Sequence, residues 1–175
     1  MNAWRLVDSE PSTEDARFPR APELDVSQWF NVRGEAPTLA GLRGRVVVLE
    51  AFQMLCPGCV TRGLPQVQRL VATFGSDITV LGLHTVFEHH DAMTPVSLEA
   101  FLYEYRITFP VGVDEHDRPD GSPVTFTQYG LQGTPSLVLI DRAGRVRLST
   151  LGHIDDIALG AAVMRLIAEP PVPDG

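Results

Sequence analysis

The chain has 175 residues, 44% of them apolar, and a formal charge of -8 at pH 7. That length suits one domain with a core large enough to fold without staples. The negative balance, with no basic cluster to offset it, argues against nucleic acid and anionic membranes as partners. All 14 basic residues are arginine, so lysine Schiff-base chemistry is excluded.

Residues 1–25 are rich in Pro, Ser, Asp and Glu and show neither helical nor alternating periodicity. They are expected to form a flexible or loosely docked lead-in, ahead of a domain over 26–170 and a short tail over 171–175. No apolar block of signal-peptide length stands near Met1, which makes the cytoplasm the expected location.

The β-branched run Val46-Val47-Val48-Leu49, continuing through Glu50-Ala51-Phe52, predicts a buried central strand. From Cys56 to Phe74, Val60, Leu64, Val67, Leu70, Val71 and Phe74 recur at three- and four-residue spacings, which predicts a helix ending at Gly75. Ile78 to His84 is a second short apolar run and a second strand. Strand, helix, strand is a βαβ unit with a right-handed crossover and parallel strands.

Thr94-Pro95 offers an N-cap followed by proline at the first helical position, and Leu98, Phe101, Leu102 and Tyr105 continue a stripe. Phe109 to Asp114 reads as a short extended piece, and 117–122 as a turn-rich loop. Ser136–Asp141 and Arg145–Thr150 flank Arg142-Ala143-Gly144 as a hairpin. Asp156 to Ala168 closes with a helix. The expected fold is α/β, a central mixed sheet flanked by helices, with a helical insertion after the second strand of the βαβ unit.

Two cysteines two residues apart, Cys56-Pro57-Gly58-Cys59, cannot staple distant segments. At the start of a helix that follows a central strand, unpaired N–H groups and the helix dipole favour a thiolate, which makes Cys56 the candidate nucleophile. Cys59, one turn on, can attack the mixed disulfide that Cys56 forms. Zinc would need four ligands, and the other candidates are the scattered histidines 84, 89, 90, 116 and 153. Neither a metal nor a prosthetic group is expected. Glu88-His89-His90-Asp91 reads as a solvated loop.

Val46–Phe52, Cys56–Cys59, Gly133-Thr134-Pro135-Ser136 and Asp141–Val146 together resemble the TlpA-type, redoxin (AhpC/TSA-like) branch of the thioredoxin superfamily, from about Pro37 to Ala168. The resemblance implies a thioredoxin-like fold and a cis Thr134-Pro135 bond lying against the cysteine pair. It places Thr134, Pro135, Pro57 and Gly58 at the substrate-binding surface. It also implies that Glu50, six residues before Cys56, is a buried proton relay for the second cysteine.

Three departures are visible. Met54 and Leu55 stand where the family has an aromatic, as either an apolar docking lip or core, and core is the role expected for Leu55. Pro65 lies six rather than five positions beyond Cys59, and Gln53 occupies the place of the hydroxyl that a peroxiredoxin needs. The implied activity is thiol-disulfide exchange with disulfide-bearing proteins or small thiols, fed by another dithiol. The alternatives are a thiol-dependent peroxidase and a redox-gated binding protein without turnover.

Overall fold

A computed structural model describes residues 17–170. Among them, six strands form one mixed sheet in the order β1-β4-β3-β2-β5-β6. In chain order these are β1 (Val26–Phe30), β2 (Val46–Phe52), β3 (Ile78–His84), β4 (Val111–Asp114), β5 (Ser136–Ile140) and β6 (Val146–Leu151). The helices are α1 (Leu64–Phe74), α2 (Pro95–Glu104), α3 (Val124–Gln128) and α4 (Asp156–Ala168). β2 runs parallel to β3, and β3 parallel to β4. β1, β5 and β6 join antiparallel. This is the α/β architecture that the sequence implied.

All seven residues of β2 are buried, which is why it reads as a continuous apolar run and not as an alternation. Period-two alternation sends Val46, Val48 and Phe52 into one core with Leu64, Val67 and Leu70 of α1 and Leu159, Val163 and Leu166 of α4. Val47, Leu49 and Ala51 face a second core with Leu81, Leu83, Val138 and Ile140. Among the described residues no long helix covers this second face; Ala21, Leu39 and Leu131 close it, helped by Leu24, Trp29, Phe126 and Tyr129.

Of the expected lead-in, the part that the structure describes takes the docked form. Residues 17–25 are docked, with the Ala21 amide donating to Gly144 O over 2.9 Å and the Val146 amide donating to Pro19 O over 2.9 Å. The Glu23 carboxylate accepts from the amides of Leu39 at 2.8 Å and Ala40 at 2.6 Å. Backbone pairing to the hairpin carries no side-chain periodicity, so the composition gave no sign of it. Residues 1–16 and the 171–175 tail lie outside the described residues.

Two elements were not foreseen, β1 and α3. Pro123, the residue that precedes α3, has no side chain able to cap it. The buried Asp114 at the end of β4 supplies one, accepting from the amides of Thr125 at 2.8 Å and Phe126 at 3.0 Å. α2 starts as its sequence signal says, with Thr94 Oγ1 accepting from the Ser97 amide at 3.3 Å.

Candidate active site

β2 ends at Phe52, and a tight turn leads to the cysteines, closed by the Cys56 amide donating to Gln53 O at 3.1 Å. Helical structure then opens at Pro57, where a missing N–H costs nothing. Cys56 is half-buried and Cys59 buried, both as free thiols. The Cys59 amide donates to Cys56 Sγ over 3.3 Å, and Cys56 Sγ lies 3.4 Å from the carbonyl oxygen of Thr134.

The two thiols are driven apart in acidity. Burial pushes Cys56 up, but hydrogen bonds from the Cys59 side chain and amide, the Thr134 side chain and the Gly58 amide outweigh it, and its pKa falls below the ordinary thiol value. Cys59 is pushed up to about 12, first by burial and then by its hydrogen bond to Cys56. One thiol is therefore prepared to attack while its neighbour holds a proton.

The Thr134-Pro135 bond is cis. Pro135 faces the cysteine segment closely enough that a methyl group on Gly58 would sit 3.2 Å from its Cδ. Cys56, Cys59, Gly58, Thr134 and Pro135 are thus one cluster, built from a helix start and the loop entering β5. Pro57 belongs to it as the first helical residue, and its carbonyl accepts from Thr61 Oγ1 at 2.7 Å.

Glu50 lies beneath them. It is 1% exposed and shares the β2 face of Val48 and Phe52, and its Oε1 has no hydrogen-bond partner among the described residues. Burial, and secondly the charge of Cys56, raise its pKa well above the ordinary carboxylate value. The strand alternation that places Glu50 under the helix was legible in the sequence.

The extra residue before Pro65 also finds its explanation. Cys59–Gly63 form a π turn, in which the Leu64 amide reaches back to Cys59 O. A π turn holds one residue more than an α turn, so the following helix resumes in register. Met54 and Leu55 divide between the two alternatives: Met54 is buried in the first core, whereas Leu55, expected there, is 54% exposed. It stands in the turn before Cys56, where its side chain leaves the sheet.

Two further groups support the turn and were missed. His84, buried at the end of β3, accepts from the Met54 amide through Nε2 at 3.4 Å and packs at a tilt against Phe52, with ring centroids 5.3 Å apart. Burial, and then the charge of His116, lower its pKa to about 4, so it is neutral near pH 7. Gln53 accepts from the Phe87 amide at 3.2 Å, tying the cysteine turn to the loop after β3. Its amide side chain is turned away to that loop and supplies no hydroxyl.

In the loop after β3, Glu88 and His89 are exposed, and His90 packs edge-on against His116 with ring centroids 5.5 Å apart. No group of three His, Cys, Asp or Glu side chains among the described residues could hold a metal ion.

The profile of the AhpC/TSA family matches residues 19–149. The crystal structure of a thioredoxin-like superfamily protein is 54% identical, with a TM-score of 0.84 over 88% of this chain and 99% of that one. That of a thiol-disulfide isomerase from Corynebacterium glutamicum is 47% identical, with a TM-score of 0.79 over 86% of this chain and 98% of that one. Protein DipZ of Mycobacterium bovis is 29% identical over 157 residues, 87% of this chain and 21% of DipZ, so the chain spans about a fifth of that relative's length.

Proposed function

Because the chain belongs to the AhpC/TSA family and shares a thioredoxin-like fold with a solved thiol-disulfide isomerase, we propose that it is a protein-disulfide reductase working through Cys56 and Cys59. The observation that carries this reading is the opposed acidity of the two thiols.

The Cys56 thiolate attacks one sulfur of a substrate disulfide bound along Thr134-Pro135. A Cys56–substrate S–S bond forms, and the other substrate sulfur leaves as a thiolate and takes up a proton. Cys59 then gives up its proton, attacks Cys56 and releases the second substrate sulfur, leaving a Cys56–Cys59 disulfide. Two electrons have passed to the substrate, and an external dithiol returns them. Glu50, covered and close under the helix, is assigned the proton exchange with Cys59.

The test is a defined disulfide-bonded peptide offered to three reduced proteins. Wild type should reduce it catalytically with a dithiol donor, Cys59→Ser should stop at a stable mixed disulfide, and Cys56→Ser should do neither. Equal trapping by both single variants would overturn the assignment of roles. Peroxide consumption without peptide reduction would favour the peroxidase alternative, against which Gln53 weighs in place of a hydroxyl. Redox-dependent partner binding without turnover would favour a binding protein. A cytoplasmic location is likewise proposed, and fractionation of the source cells tests it. No helix among the described residues is long and apolar enough to cross a membrane.

A further inference from the structure

We propose that Gly63 is a positioning residue matched in size to Glu50: the bare glycine in the π turn leaves the space in which the glutamate holds its carboxyl group beneath Cys59. The inference rests on the proton-relay reading of Glu50 for its functional meaning and on packing for its substance.

The geometry is specific. In the π turn Cys59–Gly63, the two buried residues are Cys59 and Gly63, so the resolving thiol and the glycine share the inward side of one helical turn. A methyl group built on Gly63 would fall inside contact distance of Glu50 Oε1 and 2.8 Å from Pro135 Cβ. The helix backbone therefore rests directly on the acid and on the substrate-side loop, and no side chain larger than hydrogen fits between them. Gly63 has φ -58°, a conformation that any residue adopts, so close approach and not backbone freedom requires glycine.

The acid explains the size of the gap. A glutamate reaches one methylene further from β2 than an aspartate, and Glu50 Oε1 ends under Gly63 with no hydrogen-bond partner among the described residues. The site is thus closed around a carboxyl group of this length. A methyl at Gly63 must displace the carboxyl from its place under the helix, or else lift the helix start from Pro135. Shortening the acid relieves the first conflict and leaves the second.

A double-substitution cycle separates the two. Gly63→Ala, Glu50→Asp and the double variant are compared in single-turnover resolution of a Cys56 mixed disulfide with a peptide, from pH 6 to 9, alongside thermal unfolding. Gly63→Ala in the wild-type background should slow resolution by about tenfold and displace its pH profile. In the Glu50→Asp background the same substitution should cost at least about threefold less, the remainder being the conflict with Pro135, and leave the profile in place. Gly58→Ala, which meets Pro135 but not Glu50, should cost the same factor in both backgrounds.

Where Gly63→Ala fails to fold, recovery of a cooperative unfolding transition in the double variant is the supporting result. An equal cost of Gly63→Ala in both backgrounds, or no recovery of folding, overturns the size match. A Glu50→Gln pH profile that overlays wild type sinks the relay alone, because the size match is also read in unfolding temperatures, where the Gly63→Ala loss must still shrink when Glu50 is shortened.

Discussion

The backbone amide of Cys59 donates to Cys56 Sγ across 3.3 Å, so the buried cysteine's own backbone stabilises the thiolate of its partner. Their acidities diverge, Cys56 below the ordinary thiol value and Cys59 up to about 12. Brief alkylation of the reduced protein at pH 7, followed by mass spectrometry, should therefore label Cys56 almost exclusively. Label appearing first on Cys59 would reverse the two roles.

His84 makes a prediction about acid. Its pKa is lowered to about 4 by burial and the charge of His116, against 6.5 in an unperturbed histidine. Between those values the unfolded chain binds a proton that the native state refuses, so the His84 contribution is complete above about pH 6.5 and is lost as pH falls towards 4. At about 1.4 kcal/mol per unit the loss is on the order of 3 kcal/mol. His84→Gln keeps an acceptor for the Met54 amide but cannot titrate. Urea unfolding from pH 7 to 4 should give a flatter acid limb for the variant, and parallel limbs would show that His84 is not the titrating group.

Much of this was written in the sequence where side chains carry the signal. The unbroken Val46–Phe52 run announced a strand buried on both faces, Thr94-Pro95 marked the start of α2, and alternation put Glu50 under the cysteines. What stayed hidden depends on partners far along the chain. β1 is a half-exposed edge strand, paired among the described residues only to the four-residue β4. α3 is Val-Thr-Phe-Thr-Gln, a composition that favours strand, and it becomes helical under a cap from Asp114. His84 looked like the tail of an apolar strand until the Met54 amide was seen above it. The π turn was visible only as a misplaced Pro65.

Asp114 is the means by which α3 is held. Its carboxyl oxygens accept from the Thr125 and Phe126 amides in a buried setting, and burial raises its pKa despite those hydrogen bonds. Asp114→Ala should cost about 2 kcal/mol by leaving two helix-start donors unpaired. Phe126, packed at a tilt against Phe87 with ring centroids 5.3 Å apart, would lose its anchor. Chemical denaturation should register the loss while Cys56 alkylation at pH 7 changes little. A stability change under about 0.5 kcal/mol would mean that α3 holds without this cap.

Glu50 links stability to chemistry, and the sign of its effect is fixed. Burial first, and the Cys56 charge second, raise its folded pKa well above that of the unfolded chain. Once pH exceeds the unfolded value of about 4.3, the unfolded chain releases a proton that the native protein retains, so stability declines as pH rises until the folded pKa is passed. Glu50→Gln cannot titrate, so its stability advantage over wild type should grow from pH 4 towards pH 8. Cys56→Ser removes the second cause and should shrink that growth in part. The same Glu50→Gln substitution should slow resolution of the Cys56 mixed disulfide between pH 6 and 9 while leaving Cys56 alkylation nearly unchanged, because only Cys59 needs the proton exchange. Denaturation curves at four pH values and a stopped-flow resolution assay read both effects. A stability difference independent of pH would mean that Glu50 is ionised in the folded protein. A resolution profile that overlays wild type would leave the acid buried for packing alone.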